Sequence, residues 1–262
     1  MRIVALTFHD VVANGTRDTA NGDPFYHVSA GEFEALLSQL RKLGYRTVSS
    51  HHFREWQQGT RTLPERTVVF TFDDGYASHF NLVVPLLLRY RFGGTFFATT
   101  NYVGQPGYMA WEQLRKLVFL GMEVGSHGVS HRPLTSLSPT ELEEELSESK
   151  RLLERQLGVP VRALAAPGGY WNRAVAEATE RAGYDAVWVS TIGANGPETN
   201  PLGLRRVVVR QPVSVERMVS MVEGRKRTFW LATNQQLLIR VAKRLLGTYW
   251  YEQLKRRLVP NA

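Results

Sequence analysis

The amino-acid sequence predicts an α/β protein built on a mostly parallel sheet or on a (β/α) barrel. Short apolar runs typical of buried strands alternate with amphipathic helical patterns along the chain. The connections between them are short, and the 262 residues contain no internal repeat. This length suits one large α/β domain or two small ones.

The apolar runs define the predicted strands. They lie at residues 3–6, 47–49, 68–72, 95–98, 122–125, 163–165, 186–190 and 206–209. In parallel sheets and barrels, chemistry gathers where strands end. Asp73 and Asp74 stand at such an end, and so does His9 after the first strand. The sequence SHGVSH follows the strand at 122–125.

Three predicted helices carry signals at their ends. Ser29 and Glu32 form a capping-box pair that opens a helix. Pro139 fits the first position of a long charged helix, and Gly158 follows its last residue. Asn172 is a predicted cap for a helix that runs to residue 183.

The composition restricts the kinds of site that are available. There are no cysteines, so disulfides and thiolate metal sites are excluded, and any metal must be held by His, Asp or Glu. No apolar run approaches the roughly 18–20 residues of a membrane span. The opening MRIVALTFHD lacks the pattern of a secretory signal, and we expect a cytoplasmic protein.

The net charge of +8 is concentrated in one segment. Residues 225–257 contain nine basic residues and one acid, which accounts for the whole excess. We expect a main domain over residues 1–224 and a basic amphipathic helical tail over 225–262. The apolar positions of the tail are Leu237, Leu238, Val241, Leu245, Leu254 and Leu258. Such a tail either packs on the barrel or lies on an anionic membrane or a partner. No nucleic-acid recognition motif accompanies the charge, so we expect no nucleic acid.

A metal site is the first chemical hypothesis. His127 and His131 stand four residues apart, a spacing that places two imidazoles on one face of a helical turn. A chance pair on a surface helix has the same spacing. With one carboxylate of Asp73 and Asp74 they complete a ligand set for a divalent metal, and the other Asp can act as a base on water. Taken alone, Asp-Asp-Gly favours a turn and helix cap before Gly75.

The combined pattern resembles a known family. TFDDG, followed about fifty residues later by SHGVSH, resembles the first two motifs of the NodB-homology polysaccharide deacetylases, the family 4 carbohydrate esterases. Gly128 occupies the second place of the H-S/T-x-x-H motif, which leaves the spacing of the two histidines intact. The segments MAWEQLRKLVFLGMEVGSHGVSHRPL, SKRLLERQLG and LAAPGGYWN also resemble the family. The resemblance spans residues 3–209 and implies a distorted (β/α)7-type barrel, to which the basic helical tail is a C-terminal extension.

The resemblance implies a hydrolase of linear amides. It would remove acetyl groups from N-acetylated sugars of a polysaccharide or its lipid-linked precursor, as in exopolysaccharide biosynthesis. Asp73 would be the general base, while Asp74, His127 and His131 would bind a metal, usually zinc. Gly168 would supply a backbone N–H to the developing oxyanion. Expected sugar contacts are Tyr76, Pro167, Tyr170 and Trp171, because sugar rings pack on aromatic faces.

Two departures from the family affect this assignment. Ala165 stands where the third motif commonly has the arginine that orients the base, and no histidine follows His131 to supply the late acid. LTFHDV is similar to a segment of a permuted branch that includes the poly-N-acetylglucosamine deacetylases, in which the acid comes from the first strand. We therefore expect His9 to be the acid and Asp10 to line the site; the alternative is that His9 only ends a strand. The remaining histidines, His27, His51, His52 and His79, are expected to be structural or at the surface.

The two departures also support a second hypothesis from a different class. Without its arginine and late histidine, the domain would be a metal- and sugar-binding module without turnover. An esterase acting on O-acetyl sugars with the same site is the third hypothesis. The basic tail adds the expectation of peripheral contact with the inner face of the membrane.

Overall fold

The computed structural model describes residues 1–15, 22–225 and 227–234. The apolar positions predicted for the basic tail, between residues 237 and 258, lie outside these ranges, so the helical tail stays a prediction. Within the described ranges, no helix has both the length and the apolar character that a membrane crossing requires.

The elements alternate as the sequence predicts. The strands are β1 (Ile3–Phe8), β2 (Val11–Val12), β3 (Val28–Ser29), β4 (Arg46–Thr47), β5 (Thr67–Phe72), β6 (Thr95–Ala98), β7 (Glu123–Ser126), β8 (Ala163–Ala165), β9 (Ala186–Val189), β10 (Ala194–Asn195), β11 (Leu204–Arg205) and β12 (Val207–Val208). The α-helices are α1 (Ala30–Lys42), α2 (Ser50–Gln57), α3 (Val84–Arg89), α4 (Trp111–Phe119), α5 (Pro139–Leu157), α6 (Arg173–Arg181) and α7 (Val215–Val222).

A mostly parallel sheet curls into a nearly closed barrel. The parallel order runs from β1 through β5, β6, β7, β8 and β9 to β11. The next strand, β12, pairs in parallel with β1, with Leu6 opposite Val207. The predicted strand at 206–209 corresponds to β12 alone, and a separate short strand, β11, precedes it with Arg206 between the two. The pairing of β12 with β1 brings the last strand position back to the first. The predicted α/β barrel is confirmed.

The strands present different residues to the two sides of the barrel wall, because side chains alternate along a strand. The outer side packs on the helices in a large apolar cluster that contains Leu6 and Phe70. The inner side holds a smaller cluster: Ile3, Ala5, Val69, Phe97, Ala163, Ala165, Ala186, Trp188 and Leu204, together with Val48 and Phe53. The same alternation continues past the strand ends and directs His9, Asp73 and His127 to the inner side at the rim.

The helix caps agree with the sequence signals. The Ser29 hydroxyl accepts the Glu32 N–H at 3.1 Å, and the Glu32 carboxylate accepts the Ser29 N–H at 3.0 Å. Pro139 opens α5, and Gly158 caps its end with φ of 70°. Asn172 caps α6, which ends at Arg181, two residues before the predicted end. These caps satisfy backbone groups at the helix ends and fix where each helix begins.

We predict that Trp188→Ala lowers the free energy of unfolding by about 3–5 kcal/mol, the usual cost of truncating a buried aromatic side chain. Trp188 is fully buried inside the barrel, and its Nε1–H donates to Ser50 Oγ at 2.8 Å. Urea unfolding measures the change. The control is Phe119→Ala, because Phe119 is 79% exposed. A similar loss in both variants would contradict the packing described for the barrel interior.

Candidate active site

A cavity of about 260 Å³ opens at the C-terminal ends of the parallel strands. It collects most of the residues that the sequence nominated for chemistry. The nominated residues in its lining are His9, Asp10, Asp73, Asp74, Tyr76, His127, His131 and Gly168. The barrel thus places segments from distant parts of the chain around one space.

Asp74, His127 and His131 form a compact ligand set. Asp74 Oδ1 lies 3.3 Å from His127 Nε2 and 3.1 Å from His131 Nε2. One ligand atom from each residue lies within 4.8 Å of the other two. These distances are within hydrogen-bonding range, but the atoms are not aligned for a hydrogen bond. The buried Oδ1 therefore accepts no hydrogen bond from the described residues. Two imidazole nitrogens that converge on a buried carboxylate oxygen with no hydrogen bond fit a bound cation.

The tautomer of His127 supports the same interpretation. His127 Nδ1 lies 2.8 Å from the carbonyl oxygen of Ala165. A carbonyl oxygen can only accept, so Nδ1 carries the proton and Nε2 presents a lone pair to Asp74 and His131. A ligand histidine whose other nitrogen donates to a backbone carbonyl is a common arrangement around metals. Ala165 therefore contributes its carbonyl oxygen to the site.

The two histidines converge through a loop. Strand β7 ends at Ser126, and residues 127–131 contain no helix, so the predicted helical turn is wrong. Gly128 and His131 have φ of 80° and 62°, which bends the chain back on itself. Glu145 of α5 holds the loop by accepting two backbone N–H groups, those of residues 129 and 130, at 2.7 and 2.6 Å.

This loop explains the departure at Gly128. A Cβ built there would lie 2.7 Å from Glu145 Oε1, and φ is already in the left-handed region. Only glycine meets both conditions without displacing the carboxylate that holds the loop. The arrangement of the two histidines is therefore maintained by a contact between α5 and the loop that follows β7.

The adjacent acids reach the site by different backbone conformations. Asp73 continues the direction of β5, and its N–H donates to the carbonyl of Phe8 at 3.0 Å. Asp74 has φ of 73°, and Gly75 follows with φ of 82°. A left-handed conformation at a non-glycine residue is uncommon, and here it turns the second carboxylate toward the two histidines.

Arg206 pairs with Asp73. Arg206 Nη1 donates to Asp73 Oδ1 at 2.7 Å, and the two side chains are 1% and 4% exposed. Burial by itself raises the pKa of Asp73, but the Arg206 guanidinium outweighs this effect and holds the pKa below its ordinary value. Asp73 is thus a buried carboxylate that stays charged.

Arg206 is the functional residue that the sequence interpretation missed. It lies between β11 and β12 and faces the inside of the barrel, where it makes the contact with Asp73 that the resemblance assigns to an arginine at position 165. The signal was present, because an arginine opened the predicted buried strand at 206–209. A buried arginine requires an acid partner, and the partner is found only in three dimensions.

His9 lines the same cavity as the predicted ligands. Its ring contacts Tyr26, with ring centres 4.6 Å apart. Its Nδ1 is buried and has no hydrogen-bond partner among the described residues. Burial lowers the pKa of His9, although the charges of Asp74 and Asp73 oppose this shift.

The other histidines and Asp10 have structural contacts. His79 is fully buried, and its Nε2 contacts the carbonyl of His9, so this histidine supports the end of β1 from within the core. His27 is also buried, with Nε2 4.0 Å from Asp10 Oδ2. Ser78 donates to the other oxygen of Asp10 at 2.6 Å. Neither histidine lies at the surface, and His27 also lines the cavity.

The residues nominated for sugar contact divide into two groups. Tyr76 lines the cavity and stacks on Tyr108, with ring centres 5.2 Å apart. Pro167, Tyr170 and Trp171 are not among the described residues that line the cavity. Pro167 is buried, Trp171 packs against the core, and the ring of Tyr170 is half exposed. Their contact with sugar stays a prediction.

Gly168 stands at the wall of the cavity with φ of 64°. A Cβ at this position would lie 2.7 Å from the ring of Tyr170. Glycine therefore lets the backbone approach the cavity while the Tyr170 ring covers it from outside. This placement is compatible with the predicted donation of a backbone N–H to a reacting oxygen.

Comparison with known proteins identifies the same signature. The family model for polysaccharide deacetylase matches residues 60–187. YxkH of Bacillus subtilis (strain 168), which its name assigns provisionally to the polysaccharide deacetylases, is 26% identical over 195 residues, covering 74% of this chain and 70% of YxkH. Poly-beta-1,6-N-acetyl-D-glucosamine N-deacetylase of Escherichia coli (strain K12) is 29% identical over 140 residues, covering 47% of this chain and only 20% of that protein.

The solved structures share the fold. IcaB from Ammonifex degensii superposes with a TM-score of 0.74 at 25% identity, covering 85% of this chain and 97% of that one. The share of the chain that superposes is larger than the segment 60–187 that matches the family model.

We predict that Arg206→Met destabilises the protein by about 3–5 kcal/mol, because breaking a buried ion pair leaves an uncompensated charge on Asp73. Urea unfolding of the variant measures the loss. The control is Arg205→Met, which removes the same charge from the exposed neighbouring residue. Combining Arg206→Met with Asp73→Asn restores part of the stability. Equal stability of the two single variants would contradict the role of Arg206.

Proposed function

Because the chain carries a polysaccharide deacetylase domain and thus belongs to that family of hydrolases, we propose that it removes acetyl groups from N-acetylated sugars of a polysaccharide or of a lipid-linked precursor. The observation that carries the proposal is the ligand set Asp74, His127 and His131 beside the buried Asp73–Arg206 pair. Hydrolysis of an amide needs an activated water, a base and an acid for the leaving amine. Each need has a candidate residue in one cavity.

Two imidazole nitrogens and one carboxylate oxygen match the donor set of catalytic zinc sites, so we assign Asp74, His127 and His131 to a zinc ion. The bound ion would supply Lewis-acid activation of water and of the acetamide carbonyl.

Asp73 is the proposed base. Its pKa lies below the ordinary value, so the carboxylate is ionised and able to accept a proton at neutral pH. Arg206 holds one oxygen at 2.7 Å and leaves the other to receive the proton of the attacking water. The pair fixes the direction of the carboxylate, which is what a base requires when the substrate is fixed as well.

His9 is the proposed acid. It donates a proton to the sugar nitrogen as the C–N bond breaks, and acetate and the free amino sugar leave. Tyr26 lies against its ring, and the carbonyl of His9 is held by His79. These contacts restrain the imidazole in the wall of the cavity that also holds the ligand set. The backbone N–H of Gly168 is the proposed donor to the negative oxygen that develops on the carbonyl carbon.

The contacts of Arg206 and His9 weaken the hypothesis of a binding module without turnover. That hypothesis rested on two missing residues, the arginine of the third motif and the late histidine. Arg206 contacts Asp73 from a different strand, and His9 occupies the cavity from the first strand. Arg206 can therefore replace the missing arginine, and His9 can replace the missing histidine. This supports an enzyme over a binding module.

We predict that the zinc-loaded protein releases acetate from chitooligosaccharides. Asp73→Asn and His9→Ala each reduce kcat by about 10²–10⁴-fold, the usual contribution of a general base or acid. Acetate release is measured with a coupled assay. His52→Ala is the matched control, because His52 lies on α2 outside the cavity lining.

Three other outcomes would decide against the proposal. A wild-type protein that binds zinc and sugar but releases no acetate is a binding module. Release from an acetyl ester of a sugar, without release from the amide, identifies an esterase. Full activity in Asp73→Asn would remove the proposed base.

The basic tail suggests a location for this activity. Trp230 and Leu231 lie in the described part of the segment, and they are 64% and 47% exposed. Exposed apolar side chains beside basic residues favour binding at an anionic membrane surface. We therefore propose peripheral contact with the inner face of the membrane, where a lipid-linked sugar would be presented.

We predict that the full chain pellets with vesicles containing anionic lipid but not with vesicles of neutral lipid. A chain ending at Gly224 loses this binding, and so does the full chain at 1 M salt, where the screening length falls to about 3 Å. Trp230→Ala measures the apolar part of the contact with the membrane, and we expect this variant to pellet less than the full wild-type chain. Equal pelleting of the full and shortened chains would show that residues 225–262 do not bind the membrane.

A further inference from the structure

Arg210 lies at the rim of the cavity. Strand β12 pairs in parallel with β1, with Thr7 opposite Val208, and the Val209 N–H donates to the carbonyl of Thr7 at 2.9 Å. Alternation along this segment directs residues 206, 208 and 210 to the inside of the barrel. Val208 and Arg210 both line the cavity, and the register places Arg210 beside His9.

Arg210 differs from Arg206 in its partners. Arg206 is neutralised by Asp73, whereas no carboxylate in the part of the chain that the structure describes lies within 4.0 Å of Arg210. The Nε of Arg210 is buried and lacks a hydrogen-bond partner among the same residues. The guanidinium lies over the ring of Tyr26, whose centre is 5.6 Å from the guanidinium carbon.

The acids closest to this part of the cavity have other contacts. Asp10 accepts from Ser78 at 2.6 Å and lies 4.0 Å from His27 Nε2. Asp23 accepts the N–H of Phe25 at 3.0 Å. These contacts hold both carboxylates to neighbouring protein groups and leave the guanidinium as the cationic group that faces the cavity.

We propose that Arg210 binds an anionic group, a phosphate or a carboxylate, on the sugar next to the acetylated one. The planar fork of an arginine matches both groups with two parallel hydrogen bonds, and the Tyr26 ring supports its flat face. The substrate class is then an N-acetylated sugar with a neighbouring negative charge, as in a sugar phosphate or a uronate-containing glycan. This inference rests on the proposed function, because it assumes that the acetylated sugar occupies the cavity beside His9.

The test compares matched neutral and anionic disaccharides. One pair is N,N′-diacetylchitobiose and its reducing-end 1-phosphate. The other is N-acetylglucosamine linked to glucose or to glucuronic acid. Dissociation constants are measured by titration calorimetry on the full chain with zinc removed by chelation, so that neither turnover nor phosphate binding to zinc contributes. In parallel, kcat/KM is measured for the zinc-loaded protein.

We expect the wild type to bind at least one anionic disaccharide about tenfold or more tightly than its neutral match, as charge-assisted hydrogen bonds allow. The pair that shows the preference identifies phosphate or carboxylate. Arg210→Gln loses the preference, and Arg210→Lys retains part of it, because it keeps the charge without the fork. Arg205→Gln, which removes a charge from the exposed neighbouring segment, keeps the wild-type preference.

Equal binding of neutral and anionic disaccharides by the wild type would overturn the inference, and so would a preference that survives in Arg210→Gln. Thermal melting establishes that the variants are folded. The calorimetric readout does not depend on acetate release. A protein that prefers the anionic ligand but releases no acetate would refute the proposed function and leave the role of Arg210 standing.

Discussion

The convergence of one carboxylate oxygen with two imidazole nitrogens is the constraint on which the rest of the site depends. Asp74 Oδ1 is buried beside His127 and His131, and it receives no hydrogen bond from the described residues. A buried carboxylate oxygen without a hydrogen bond is unfavourable, so an arrangement that maintains one needs a compensating ligand. The left-handed Asp74, the loop held by Glu145 and the carbonyl of Ala165 all serve to keep these three atoms together.

The charges around the cavity follow a pattern. Asp73 is neutralised by Arg206 below the site, and Asp74 belongs to the ligand set. Burial alone would raise the pKa of Asp73, yet the Arg206 guanidinium holds it below its ordinary value. Asp73 is therefore ionised at neutral pH and available as a base. Arg210 adds a positive group at the rim, next to His9, where a substrate would project from the cavity.

Much of this could be predicted from the sequence because the signals are local. The apolar runs predicted the strands, and the caps at Ser29 and Asn172 predicted where two helices begin. Because the acids and histidines follow strands, the sequence also predicted which end of the barrel holds the site. The family resemblance added the roles of Asp73 and Asp74, which adjacency alone left open.

The rest could not be predicted because it depends on contacts between distant segments. Arg206 and Asp73 are separated by 133 positions, and only the pairing of β12 with β1 brings them together. The spacing of His127 and His131 indicated a helical turn, but the contact of Glu145 with the loop overrides that local preference. His79 was not distinguishable from a surface histidine until the fold placed it beneath His9.

A crystal structure of the zinc-loaded protein, with anomalous diffraction recorded at the zinc edge, tests the central claim most directly. The account predicts a strong peak in the cavity, at about 2.0–2.2 Å from a carboxylate oxygen of Asp74 and from Nε2 of both His127 and His131. Anomalous density confined to other residues, with these three side chains unliganded at saturating zinc, would contradict it.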